Sequence, residues 1–276
     1  MTRIARVFPR RTKATPDDDM AFVGYPRLTQ PPVDEVHISV TFSWDLPLAE
    51  QMAKTWAGIA PVTMGGPALG MRGEEFVPGR HLRIGYVITS RGCPNRCWFC
   101  SVPKREGNTV RELPITEGHN VLDDNLLACS DEHIRAVFAM LSRQKLGRIM
   151  FTGGLEAARL KPWHVEEIAK LHPKEIFLAY DTPDDYEPLV EAARMFRAAG
   201  IRPQSHTLRA YVLIGWPKDS MVMADLRLRS VLAQGVIPMA MLWRDESGDR
   251  DHSWVRFAWP WVRPAAMKFP PNVEAL

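Results

Sequence analysis

From residue 83 onward the chain repeats one grammar: an apolar stretch, a polar or glycine turn, then a helical pattern. RIGYVITS (83–90) leads into a cysteine-rich loop, NVLDD (120–124) into NLLACSDEHIRAVFAMLSRQ, and RIMFTGG (148–154) into LKPWHVEEIAKL. EIFLAYD (175–181) leads into DYEPLVEAARMFRAAG, RAYVLIGWP (209–217) into SMVMADLRLRSVLAQG, and VIPMAMLW (236–243) closes the series. Strands that alternate with helices of this length imply a parallel sheet with helices outside it. Six units are too few for a closed eight-stranded barrel and suit an open or partial one. In either form the site lies at the carboxyl ends of the strands, where the turn residues sit.

Ahead of this series, residues 1–32 are polar and proline-rich and read as extended. VHISVTFSW (36–44) reads as a strand, LPLAEQMAKTWAGIA (46–60) as a helix and PVTMGG (61–66) as a second strand. Arg3, Arg6, Arg10, Arg11 and Lys13 precede the first acid, so residues 1–13 form either a solvated arm or one that meets phosphate. The tail from residue 244 changes character: Trp243, Trp254, Trp259 and Trp261 interleave with Arg244, Arg250, Arg256 and Arg263. Such a pattern can stack nucleobases. Packing back over the barrel, with the tryptophans closing its open side, is the favoured reading, because large aromatics mostly fill cores. No run approaches the length of a membrane span, and the basic N-terminus lacks the apolar stretch of a signal peptide. The expected setting is a reducing cytoplasm, with no membrane partner and with nucleic acid open as a partner.

Three of the four cysteines stand in RGCPNRCWFC (91–100), at Cys93, Cys97 and Cys100. In a reducing compartment, close cysteines point to metal or redox chemistry rather than disulfides. Thiolates favour zinc, copper(I) or iron–sulfur clusters. Structural zinc takes four closed ligands, and no second CxxC is present. A cubane on three thiolates leaves one iron open, which suits catalysis. A zinc-stabilised nucleic-acid-binding protein remains the alternative, and a thiol oxidoreductase using Cys97 and Cys100 is a further rival.

The C-x3-C-x2-C spacing, with Phe99 just before the last cysteine and the first strand of the series just ahead, resembles the radical S-adenosylmethionine superfamily. The resemblance covers about residues 81–245. It implies a 4Fe–4S cluster on Cys93, Cys97 and Cys100 and S-adenosylmethionine chelated by the open iron. It implies reductive cleavage to a 5′-deoxyadenosyl radical that abstracts hydrogen from a substrate, with electrons from a flavodoxin or ferredoxin. Carried across residue by residue, the cofactor sits against Phe99, against Asp123, Asp124 and Asn125 for its ammonium, and against Asp181 and Thr182. The fifth strand supplies Leu213, Ile214 and Gly215 beside adenine, although it lacks the family's first glycine and terminal glutamate. Arg209 pairs with a cofactor or substrate carboxylate. Gly153 and Gly154 go to the substrate side. The bland reading of the Asp/Asn and DTPDD turns is helix capping.

Cys129 is either a core residue, on the apolar stripe of LLACSDEHIRAVF, or a hydrogen donor to a substrate radical. One spare cysteine excludes an auxiliary cluster with three or four thiolates of its own, although CSVPKREG resembles the cluster loop of methylthiotransferases. The N-terminal unit is similar to the end of a cobalamin-type Rossmann domain. The D-x-H-x-x-G pattern is absent, since Glu35-Val36-His37 fails at both ends, so cobalamin is not expected. The expected fold is α/β: a partial (β/α)6 barrel with a small N-terminal β-α-β Rossmann-like remnant and an irregular C-terminal tail. Its expected domains are 1–80, 81–245 and 246–276. The substrate is expected to be a nucleobase or nucleoside first, a peptide or small metabolite second.

Overall fold

A computed structural model of the chain describes residues 2–73, 75–245, 247–249, 251–264, 267–270 and 273. The tail residue Arg250 named above lies outside them. Two parallel sheets organise the molecule.

The first sheet has the order β2-β1-β3-β4, with β1 (Ile4–Phe8), β2 (Ala21–Val23), β3 (Glu35–Ser39) and β4 (Val62–Gly65) all parallel. This corrects the extended reading of residues 1–32. Ala5 and Val7 are fully buried, so β1 is an interior strand, and only its brevity and its proline-rich flanks hid it from the sequence. Arginines of the arm pair within the chain. Arg6 pairs with Asp18 and donates to the Gly79 carbonyl at 2.6 Å, and Arg10 pairs with Asp45. Helix α1 (Leu46–Trp56) covers this sheet through Ala49, Met52 and Trp56, whose indole N–H donates to the Gly24 carbonyl at 3.1 Å. After β4, Gly66 has φ +114°, and a Cβ there would lie 2.6 Å from the Val40 carbonyl oxygen. Only glycine fits that turn.

The second sheet runs β12-β11-β10-β9-β8-β5, parallel throughout. Its strands are β5 (Tyr86–Val87), β8 (Asn120–Val121), β9 (Met150–Leu155), β10 (Glu175–Tyr180), β11 (Leu208–Ile214) and β12 (Ile237–Leu242). Four fall inside the stretches read as strands, and β9 and β11 each overrun theirs by one residue, Leu155 and Leu208. Helices α3 (Asp131–Ser142), α4 (Pro162–Lys170), α5 (Tyr186–Ala198) and α6 (Met221–Ala233) follow β8, β9, β10 and β11. Their apolar stripes, such as Ile134, Val137, Phe138 and Leu141 of α3, share one core with alternate residues of the strands. On β11 those residues are Leu208, Ala210, Val212 and Ile214. Arg209, Tyr211 and Leu213 therefore project from the opposite face.

The sequence reading also missed the structure that closes the cysteine loop. Strands β6 (Ser90–Arg91) and β7 (Arg111–Glu112) pair antiparallel and close the cysteine loop, which carries the short helix α2 (Val102–Arg105). In the tail, α7 (His252–Ala258) and a 3-10 turn over Trp259–Val262 pack beside β12 and α6. Trp254, Phe257 and Trp261 join the helix-side core, while Phe269 and Val273 pack on Ile237 at the start of β12. Trp44, stacked on Phe42, carries the Arg244 guanidinium at 4.3 Å and links the first sheet to the tail. Among the described residues no helix is long and apolar enough to cross a membrane.

Candidate functional site

Three consecutive residues after β8 organise the carboxyl end of the second sheet. The Asp123 carboxylate accepts from the Thr89 amide and hydroxyl, both at 2.6 Å, and from the Ser90 hydroxyl at 2.8 Å. Burial pushes its pKa up, against those hydrogen bonds. Asp124 accepts from the Gly92 amide at 2.9 Å and faces the Arg105 guanidinium at 3.3 Å. Arg105 in turn meets Glu106, which is buried and also takes Arg111 and the Gly73 amide. Asp123 thus ties β8 to the strand before the cysteines, and Asp124 ties it to both ends of their loop. Both carboxylates expected to receive an ammonium are engaged within the protein. Nor do these residues cap α3; that cap is Ser130, which accepts from the His133 amide.

Asn125 does face the cysteines. Its side-chain amide donates to Cys93 Sγ at 3.3 Å and to Glu156 at 2.6 Å. Its Oδ1 is buried with no hydrogen-bond partner. A buried acceptor without a partner is unfavourable unless a ligand supplies the donor. Glu156 follows β9 and is also held by Arg159 at 2.7 Å. The sequence reading missed it; a carboxylate just past a strand's carboxyl end was the available signal. Gly153 explains its own presence: a Cβ would lie 2.6 Å from the Asp123 carbonyl oxygen and 2.9 Å from its nitrogen. The Gly153-Gly154 stretch also forms the irregularity in the β9–β10 register. Gly153 therefore serves backbone packing against Asp123, and Gly154 supplies a backbone φ of +90°.

Cys93, Cys97 and Cys100 are half-buried thiols. Burial pushes Cys97 up to about 11, with the neighbouring thiols and the carboxylates of Asp181 and Asp185 adding to it. Cys100 is raised as well, again chiefly by burial. Cys129 lies under this layer against the helix-side core and shares a hydrogen bond with Ser90. Burial raises its thiol to about 12.

After β10, Asp185 accepts from the Asp181 and Thr182 amides and from the Thr182 hydroxyl. Thr182 and Asp185 thus form a reciprocal capping box over the 3-10 turn that leads into α5. Thr182 spends its hydroxyl on that cap. Asp181 is left as a mostly buried carboxyl whose pKa rises to about 7, from burial first and the Asp185 charge second. On β11, Ile214 is fully buried in the helix-side core, so it cannot line a site on the other face, whereas Leu213 projects there. Strand parity was the signal that separates the two. Arg209 opens β11 and pairs with Glu175 at 3.4 Å, at the amino ends of the strands. It is therefore remote from the cysteines, which corrects its assignment to a carboxylate there. Gly215 donates its amide to Asp219 at 2.8 Å and lies close to Leu242 and Trp254.

Solved structures similar to this chain in fold include two that resemble it over most of its length. Both are of the radical S-adenosylmethionine methyltransferase TsrM from Kitasatospora setae. The first, with cobalamin and a [4Fe-4S] cluster bound, has a TM-score of 0.61 at 12% identity, over 90% of this chain and 77% of that one. The second, with tryptophan substrate and the S-adenosylmethionine analogue aza-SAM, has a TM-score of 0.58 at 11% identity, over 87% and 72%. The chain shares the fold of these two structures at low sequence identity. The radical S-adenosylmethionine likeness reaches into the first sheet, because the unmatched tenth of the chain is shorter than the span from β1 to β4. No protein-family model and no curated protein matches the chain. Among the described residues no three His, Cys, Asp or Glu side chains are gathered around a point that suits one metal ion. The zinc alternative is not favoured.

Proposed function

We propose that the chain is an enzyme that holds a 4Fe–4S cluster on Cys93, Cys97 and Cys100 and uses S-adenosylmethionine to start radical chemistry on an organic substrate. The observation that carries this reading is the Asn125 amide donating to Cys93 Sγ while its own Oδ1 stays buried and unpartnered. Three soft thiol donors on one loop suit iron–sulfur ligation, and Cys129 is turned toward Ser90 instead of joining them. Bound there, the cluster would supply the electron that cleaves S-adenosylmethionine reductively. A flavodoxin or ferredoxin is the matching class of reductant.

In this reading the chain's own residues bind and orient. Asn125 Oδ1 and the Glu156 carboxylate receive the cofactor's ammonium, in place of Asp123 and Asp124, whose oxygens all take donors from the strand and loop before them. Asp181 offers a buried polar group on the far side of the cysteines, and Leu213 and Phe99 offer apolar surface to adenine. We take the second sheet to be a partial (β/α)6 barrel over residues 81–245, preceded by the unit of 1–80 and followed by the tail of 246–276. Cytoplasmic action fits the free thiols. Cobalamin is left out of this first reading, because D-x-H-x-x-G is absent and the first sheet has four strands.

A second reading is cobalamin-dependent methyl transfer. It is favoured by the length over which the chain follows TsrM, first sheet included. Anaerobic titration with hydroxocobalamin separates the two: a shifted corrin absorbance with one equivalent retained supports methyl transfer, and no retention supports the first reading.

The test of the main reading is anaerobic reconstitution with iron and sulfide. About four of each per chain are expected, as a cubane requires, with loss in Cys93→Ala, Cys97→Ala and Cys100→Ala and retention in Cys129→Ala. Reduction should then release 5′-deoxyadenosine from S-adenosylmethionine. Asn125→Ala and Glu156→Gln should each weaken cofactor binding about tenfold, the worth of one charge-assisted contact. Stoichiometric zinc in place of iron would end the reading.

A further inference from the structure

Trp98, Trp216 and Trp243 come from three elements, and none has a part in the site as described so far. Trp98 stands between Cys97 and Cys100, Trp216 follows β11 and Trp243 follows β12. Their rings converge. The Trp98 centroid lies 6.4 Å from that of Trp216 and 6.4 Å from that of Trp243, with planes inclined by 70° and 45°. Trp98 meets these rings, and that of Phe99 at 5.4 Å, by edges and tilts and not by parallel stacking. Trp98 is 59% exposed, although Phe99 beside it is partly covered. Exposing so large an apolar ring forgoes the stabilisation that burial would bring. Met241, paired with Leu213 and so on the same face of the sheet, is 44% exposed.

Charge narrows what can enter. The Arg227 guanidinium lies 4.5 Å from the Trp216 ring centroid, held there by Asp219 at 2.6 Å and the Leu213 carbonyl at 3.2 Å. A fixed cation on that ring spends its negative face and disfavours a second cation. A neutral planar ring has no such conflict, because offset or tilted contact with indole needs only surface and polarisability.

We propose that Trp98, Trp216 and Trp243 form the stacking site for a neutral planar aromatic ring of the substrate, an indole or a purine. The inference rests on the proposed radical S-adenosylmethionine activity, and it places the ring next to the loop that carries the three thiols.

The test uses cluster-loaded protein saturated with S-adenosylmethionine, so that the cofactor's own adenine is already accommodated. Anaerobic equilibrium dialysis then measures indole in one arm, adenine in a second and cyclohexanol as a non-aromatic control in a third. One of the two rings should bind and cyclohexanol should not; which one binds identifies the ring class. Trp98→Ala and Trp243→Ala should each weaken that ring by about tenfold, within the range known for a stacked aromatic. Trp98→Phe should keep most of the affinity. Trp259→Ala, on an exposed tail ring covered by Arg263, should change nothing. Iron content and 5′-deoxyadenosine release are measured alongside. If Trp98→Ala fails to load iron, Trp243→Ala and Trp98→Phe decide. Absence of ring binding to wild type, equal binding of cyclohexanol, or unchanged affinity in Trp243→Ala overturns the proposal. Failure of wild type to load iron strikes the activity instead, and dialysis of the protein as purified still decides the stacking site.

Discussion

Asp123→Ala separates the two roles open to the first acid after β8. If Asp123 fastens the strand ends, its removal strips acceptors from the Thr89 amide, the Thr89 hydroxyl and the Ser90 hydroxyl. Thr89 and Ser90 are both fully buried, so water cannot replace the lost acceptor. An orphaned buried amide costs about 1–3 kcal/mol, and each hydroxyl hydrogen bond adds about 1. Removing a carboxylate that burial already disfavours offsets part of this. The net loss is about 2–4 kcal/mol, which lowers the melting temperature of a chain this size by roughly 5–15 °C. Asp123→Asn keeps Oδ1 for the Thr89 amide, and the two hydroxyls can rotate to accept from the new Nδ2. It should lose less than half as much. The assay is thermal unfolding of the metal-free protein followed by circular dichroism, with S-adenosylmethionine affinity measured afterwards on reconstituted protein at low temperature. If Asp123→Ala melts with wild type and yet loses cofactor affinity, the acid is an ammonium ligand and the fastening argument is wrong.

The Asp181 carboxyl has a folded pKa of about 7 against 3.8 unfolded, so the folded chain holds the extra proton between those values and stability falls as pH rises from about 4 to 7. Asp181→Asn should flatten that slope in the metal-free protein and exceed wild type at pH 8 by on the order of 4 kcal/mol; parallel urea titrations at pH 4 and pH 8 that give one difference at both would refute it. Gly153→Ala forces a methyl against the Asp123 backbone, which cannot yield as a side-chain tip can. It should destabilise by about 1–3 kcal/mol and reduce iron loading, read by calorimetry and iron analysis. Asn125→Ala removes the donor to Cys93 Sγ. Losing a hydrogen bond to a cluster sulfur should move the reduction potential to a more negative value in a spectroelectrochemical titration, and an unmoved potential would show that the amide serves only Glu156.

Much of this molecule is legible in the amino-acid order, because the signals are local. Alternating apolar runs and helical stripes depend on a residue's near neighbours, and they located all six strands of the second sheet and the four helices between them. The Cys93–Cys97–Cys100 spacing is equally local, since it decides which thiols share a loop. β1 and β2 escaped because very short strands among prolines carry little periodicity, and their burial depends on pairing with β3. The partners of polar side chains escaped for a different reason. Asp123, Asp124 and Asn125 are adjacent and chemically alike, yet one holds Thr89 and Ser90, one holds Gly92 and Arg105, and one faces Cys93. Arg209 and Ile214 share a strand with Leu213, but register sends one to the wrong end and parity sends the other to the wrong face. The order of residues alone thus determined the alternation of strands and helices and the set of soft ligands, both governed by neighbours in sequence. Which acid fastens, which amide meets a cysteine and which three tryptophans converge were decided only by tertiary structure, because each depends on groups that pairing and packing bring from 32 to 145 residues away.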